Sequence, residues 1–415
     1  MTLFQIAALL IVLAGAFGSI NYFFLRLPQS IGILVVALAA SFAVMAANYI
    51  LPDLQITQRV REVINDLHFS DTLLEGMLGL LLFAGALHVK LSDLRAQAWV
   101  IALMATMGVG LSTVVAGVGF SWITGVPLLI SLVFGALISP TDPVAVLGVL
   151  RQANLRKSLE TKIAGESLFN DGVGYVVFLF LVGLAFPTGA HHAQGLNGAL
   201  QLFVQEALGG ALLGAVLGWM TFQLMKRIDD YALEVLLSLG LAFGGYELAV
   251  TLHMSGPIMA VVAGLFIGDV GVKYGMSELT REYVDAFWKL IDEILNAVLF
   301  LLIGIEVLTV AFSLDALIAG LLSIVLSLLA RLTSVAVPIL ILRPFRDFSR
   351  GIVPIMTWGG LKGGISVALA LSLPDNEYKP IILTATYVVV VFSIIVQGLT
   401  IAPLAKRLGR EPESM

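Results

Sequence analysis

Apolar runs long enough to cross a lipid bilayer follow one another almost without pause along this chain. A hydrocarbon core about 30 Å thick takes about 20 helical residues to span. Inside it each backbone N–H and C=O must be satisfied within the segment, so each run is read as a helix. Apolar length and breaker residues divide the chain into thirteen spans, at about 3–24, 29–50, 71–90, 96–122, 127–150, 159–186, 198–226, 230–252, 256–270, 284–310, 314–342, 350–373 and 380–406. The expected fold is an all-α polytopic membrane protein. With 59% hydrophobic and 12% charged residues, an ordinary soluble domain is excluded.

The first run contains Ala14-Gly15-Ala16, which has the look of a signal cleavage site. No Lys or Arg precedes it, so it is read as a retained first span. Pro52 to Ser70 is polar and reads as an outer loop. Cysteine is absent, which removes disulfides and thiolate metal sites from consideration. No basic run suggests a nucleic-acid partner, and no cofactor is expected.

Charge distribution sets the expected orientation. Of 23 Lys and Arg, eighteen fall in one alternating set of loops and span ends, beginning at Arg26 and ending at Lys406, Arg407 and Arg410. The other set holds Arg59, Arg61 and Lys379, while Arg331 and Lys362 lie within spans. Basic residues concentrate on the cytoplasmic side. The N-terminus is therefore expected outside and the C-terminus in the cytoplasm, in a cell's inner (plasma) membrane.

Two spans carry helix-breaking chemistry. The fifth contains Ser139-Pro140-Thr141-Asp142-Pro143. Its prolines remove two backbone donors and push the residues before them out of the helical region. Thr141 or Asp142 can then cap a new half-helix that starts at Pro143. The twelfth contains Gly359-Gly360-Leu361-Lys362-Gly363-Gly364, where four glycines weaken the helix around a lysine. Irregular backbone at membrane depth survives only against protein or a cavity. The fifth and twelfth spans are seven apart, so they run in opposite directions. This predicts an inverted repeat, spans 1–6 against 8–13 with the seventh as connector, and a transporter site where the breaks cross.

The sixth span holds Gly165-Glu166-Ser167-Leu168-Phe169-Asn170-Asp171-Gly172 near its middle. Glu166 and Asn170 are four apart, as are Ser167 and Asp171, so they form two adjacent rows on one helical face. Ionisable groups at this depth are expensive and mark function by default.

Thr141-Asp142-Pro143 followed by Glu166 to Asp171 resembles the monovalent cation:proton antiporter family. The Asn170-Asp171 pair looks like its electroneutral sodium/proton exchanger branch, prokaryotic type. Trp358 to Gly363 is similar to a late family motif that usually has Arg where Lys362 stands. The resemblance implies that Asp171 binds cation or proton, with further oxygens from Ser167 and the Thr141 backbone and with Asn170 beside them. It implies an ion pair between Glu166 and Lys362, with Glu166 also bracing Asn170, and a role for Asp142 in compensating half-helix ends. It also implies a homodimer in which a core bundle moves against a scaffold. Residues 1–90 and 230–310 would form the scaffold and dimerisation helices, 96–186 and 314–406 the two core halves, and 198–226 the linker helix.

The residues argue for the same chemistry directly. Sodium, like lithium, is a hard cation that prefers oxygen ligands. A proton and a cation can compete for one secluded carboxylate, and the empty charge resists burial. Exchange would then couple the two flows one for one. A potassium/proton antiporter of the same fold is the nearest alternative. A channel or an intramembrane hydrolase fits less well. Ser167 has no Gly-x-Ser-x-Gly setting and no midplane histidine.

Among the remaining polar residues, Arg331 lies deep in the eleventh span and is expected to pair with a carboxylate or backbone carbonyls. Asp292, Glu293 and Asn296 lie toward one end of the tenth and could line a cation-attracting funnel. Gly209, Gly210, Gly214 and Gly218 give the seventh span a face for close packing. His191 and His192 sit in an outer loop.

Overall fold

The computed structural model describes residues 3–50, 77–142, 157–186, 195–310, 313–346, 348 and 351–408. Three readings lie outside these residues: the outer loop at Pro52 to Ser70, the half-helix starting at Pro143, and the loop histidines His191 and His192. The regular elements among the described residues are all helical.

The first helices are α1 (Leu3–Ile20), α2 (Gln29–Ile50), α3 (Leu78–Leu87), α4 (Leu91–Leu103), α5 (Val109–Thr124) and α6 (Leu128–Leu137). They are followed by α7 (Lys157–Ala185), α8 (Gly195–Met225), α9 (Tyr231–Thr251), α10 (Gly256–Phe266) and α11 (Glu278–Glu306). The last are α12 (Leu314–Leu342), α13 (Ile352–Trp358), α14 (Gly364–Leu371), α15 (Lys379–Phe392) and α16 (Gly398–Leu408). Single π turns join α4 to α5 and α15 to α16, so each pair runs as one long helix.

Nine of the described helical stretches are long and apolar enough to cross a membrane. The ninth predicted span runs further than expected, from Gly256 to Tyr274 through a π turn. α11 is not among the nine, because its first half carries Glu278, Arg281, Glu282, Asp285, Lys289, Asp292 and Glu293. Its second half, from Asn296 to Ile303, is buried throughout.

Packing follows the small residues. α8 lies against α10. A Cβ on Gly210 would fall 2.5 Å from the Ser255 carbonyl oxygen, and one on Gly214 would fall 2.5 Å from that of Met259. The glycine face expected on the seventh span is therefore where two backbones meet. Elsewhere α5 packs on both α6 and α12, and α12 on α15. A shared core of Phe120, Phe134, Leu137, Ala330, Leu369 and Val389 joins these helices around the two breaks.

Candidate functional site

Both predicted breaks are present, and they meet. α6 stops at Leu137, where the Ser139 hydroxyl turns back to donate to the Gly135 carbonyl (2.7 Å). Pro140 has no N–H to continue the helix. The other span stops at Trp358 and restarts at Gly364. Between the two, the Asp142 N–H donates to the Leu361 carbonyl at 2.8 Å. The Lys362 ammonium donates to the carbonyls of Ser139 (3.1 Å) and Pro140 (3.3 Å). The Lys362 N–H is taken by the Ser393 hydroxyl at 2.9 Å. Each break thus satisfies polar groups that the other leaves open, which is what backbone away from water requires.

Two of the glycines are fixed by contact. A Cβ on Gly360 would lie 2.1 Å from Arg331 Nε. One on Gly363 would lie 2.7 Å from the Asp142 Cβ and 2.8 Å from its Oδ2. Asp142, half-buried, therefore stands against the start of α14.

α7 crosses these breaks with its polar face turned inward. Glu166, Ser167, Asn170 and Asp171 are all buried, as the four-residue spacing predicts. Asn170 bridges inward from α7. Its Nδ2 donates to Thr141 Oγ1 (2.8 Å) and to Glu166 Oε1 (3.2 Å), and its Oδ1 accepts from the Thr141 N–H (3.3 Å). The hydroxyls of Thr141 and Ser167 share a hydrogen bond of 2.9 Å.

The expected pairing of Glu166 with Lys362 is corrected. Glu166 is held instead by Arg331, whose Nη1 donates to Oε1 and whose Nη2 donates to Oε2 at 2.6 Å. Arg331 Nε donates to the Met356 carbonyl at 3.2 Å. The physical reason is shape: a guanidinium fork matches both carboxylate oxygens at once, whereas an ammonium is a point charge. Lys362 instead serves carbonyls that its own fold leaves bare. The expected carboxylate or carbonyl partner of Arg331 is found twice over. The motif read as Lys-for-Arg does not remove a bidentate pair here, because α12 supplies the fork.

Asp171 is treated differently. It is 4% exposed, and its Oδ1 is buried with no hydrogen-bond partner. An unpartnered buried carboxylate oxygen is costly and calls for a ligand. Among the described residues no group of three or more His, Asp or Glu side chains converges as a metal cage. One turn before Asp171 on α7 stands Ser167, whose hydroxyl is linked to that of Thr141, and hydroxyl oxygens suit a hard monovalent ion.

Sequence reading missed Ser393 and Met356, which touch the site through a hydroxyl and a carbonyl. Neither stands out by type or spacing in an apolar span. At the side of the site on α11, Asn296 is buried and donates to the Asp292 carbonyl (2.7 Å) and Oδ1 (3.0 Å). Glu293 is exposed.

The chain resembles known proteins along nearly its whole length. The family described as sodium/hydrogen exchanger, transmembrane, matches residues 5–407. The chain is 47% identical to the Na(+)/H(+) antiporter NhaP of Pseudomonas aeruginosa, covering 97% of this chain and 96% of that one. It is 34% identical to the Na(+)/H(+) antiporter NhaH of Halobacillus dabanensis, covering 93% of each. The solved structure of the sodium proton antiporter MjNhaP1 from Methanocaldococcus jannaschii superposes with a TM-score of 0.77 at 20% identity, over 98% of this chain and 99% of that one. The last likeness is one of fold.

Proposed function

This chain belongs to the sodium/hydrogen exchanger family, and from that membership we propose that it exchanges Na+ for H+ across the membrane at Asp171. It is a transporter rather than an enzyme. One observation carries the assignment of the site: the buried, unpartnered Oδ1 of Asp171 beside the linked hydroxyls of Ser167 and Thr141. In this reading Na+ or Li+ binds the Asp171 carboxylate, with Ser167 and Thr141 supplying further oxygens and Asn170 holding Thr141 in place. A proton binds the same carboxylate in the cation's stead. Either occupant neutralises the charge, and the empty anion resists burial. The site therefore changes sides loaded and rarely empty.

The charge balance follows from the pairings. Arg331 does not lose its proton in proteins, so Glu166 and Arg331 cancel in every state. Lys362 donates to two carbonyls, and in this reading its charge does not change during the cycle. Only Asp171 changes its occupant, which gives one cation for one proton with no net charge moved. Asp142 supports the break through its N–H rather than by holding the ion. The core would comprise 96–186 and 314–406, moving by alternating access against a scaffold of 1–90 and 230–310, with α8 as linker, in a homodimer. The chain would lie in the plasma membrane with its N-terminus outside.

The test is dissipation of a pH gradient in proteoliposomes, with lithium, sodium and potassium added in turn. Sodium and lithium are expected to collapse the gradient. Collapse by potassium alone would replace sodium as the substrate. A current that tracks the sodium gradient would overturn the one-for-one ratio.

A further inference from the structure

The thirteenth span carries a turn that the exchange described above does not use. Between α15 and α16 the chain makes a single π turn, Ser393–Gln397, closed by the Gly398 N–H on the Ser393 carbonyl. Single π turns inside α-helices are frequent at functional sites. Ser393 and Gln397 are both buried. Their side chains reach the two ends of the second break. The Ser393 hydroxyl takes the Lys362 N–H at 2.9 Å, and Gln397 Nε2 donates to the Trp358 carbonyl at 2.9 Å. Gly398 follows the turn, where a Cβ would sit 3.7 Å from Leu361 Cδ1.

These two bonds replace one. In an unbroken helix the Lys362 N–H would donate to the Trp358 carbonyl, four residues back. The break parts that pair and leaves a donor on one side and an acceptor on the other, away from water. One π turn supplies an acceptor to the first and a donor to the second. The first break is held by the same kind of bond. There the Thr141 N–H donates to Asn170 Oδ1 on the sixth span at 3.3 Å, 29 residues on, against 31 from Lys362 to Ser393. The sixth and thirteenth spans are counterparts in the repeat expected from the sequence. The two clasps differ in the next residue. Asn170 is followed by Asp171, but Ser393 by the buried Ile394, whose side chain has no oxygen to offer a cation. What the second clasp positions is therefore Lys362, whose ammonium donates to the carbonyls of Ser139 and Pro140 beside Thr141.

We propose that Ser393 and Gln397 are positioning residues for sodium/proton exchange: they set the second break, and through Lys362 they hold the first break and Thr141 in the register that a cation on Asp171 requires. This rests on the reading that Asp171 and Thr141 hold the ion. The effect travels through Lys362 and through the Leu361 carbonyl, which accepts the Asp142 N–H at 2.8 Å. Released from either clasp, the second break gains alternative backbone arrangements. Gly359, Gly360, Gly363 and Gly364 make these easy to reach.

The test measures exchange against sodium concentration in proteoliposomes for Ser393→Ala and Gln397→Met, which remove the acceptor and the donor. The apparent KM for sodium is expected to rise about 5-fold in each, as for the loss of one buried hydrogen bond, with a smaller change in maximal rate. A purely structural role would lower the yield and the thermal midpoint and leave KM as in the unaltered protein, and that result overturns the proposal. Hydrogen exchange on the unaltered full-length protein decides the matter should both variants fail to fold. On replacing choline by sodium, segments 139–142 and 359–364 are expected to gain protection together. Protection confined to 139–142 overturns the proposal. Protection in neither, or exchange that survives Asp171→Asn, removes the Asp171 reading and this inference with it, a result distinct from an unchanged KM.

Discussion

Glu166 and Asp171 stand five residues apart on the same helix, and the fold meets their charges in opposite ways. Glu166 faces α12 and is saturated by the Arg331 fork and the Asn170 amide. Asp171 faces the break in the fifth span and keeps one oxygen without a partner. A buried carboxylate whose partners are permanent can only support structure. One whose partner is missing can trade occupants. Paired and unpaired charge are thus divided between neighbouring positions on α7, and Asn170 ties the paired one to Thr141 at the break.

The largest expected effect separates the two outright. Asp171→Asn should abolish sodium-driven proton movement in proteoliposomes while leaving the thermal midpoint near that of wild type, since no hydrogen bond to Oδ1 is lost. Robust proton-coupled exchange by that variant would end the division of labour. Arg331→Met should do the converse. It strands Glu166 without its counter-charge, at a cost of about 3–5 kcal/mol, read as a fall in thermal midpoint and yield of folded protein. Arg331→Lys should recover only part, because a point charge cannot engage both oxygens. Gly360→Ala sharpens the same comparison from outside. Its Cβ would overlap Arg331 Nε, 2.1 Å away, and pushing the guanidinium aside should cost about 1–3 kcal/mol. The smallest effect is expected for Ser167→Ala. It removes one candidate ligand and the hydroxyl link to Thr141, which should raise the apparent KM for sodium about 5-fold, near 1 kcal/mol, with maximal rate and fold retained.

Much of the fold was legible in advance because the bilayer imposes a simple grammar. A run such as 29–50 or 314–342 leaves the chain no choice but a helix, and the observed limits differ from the expected ones by few or no residues. The breaks were legible for the same reason, since Pro140 and the glycines at 359, 360, 363 and 364 are out of place in a continuous helix. The inward face of α7 could be read from its spacing. The matching of buried charges could not. Arg331 and Glu166 are 165 residues apart, and nothing local distinguishes Arg331 from Lys362 as the partner. That choice is made by how α12 sits beside α7, which is a property of the packed bundle. The contact from Asp142 N–H to Leu361 C=O was invisible for a different reason: it uses main-chain groups that every residue type but proline carries in full.

That last contact has a wider consequence. A fastening made of peptide groups places little demand on which side chains surround it. That one link can therefore persist when a side chain beside it changes, even though Lys362, Gly360 and Gly363 cannot be exchanged so freely. Hydroxyl-bearing neighbours such as Ser167 can then change without remaking the joint between the two breaks.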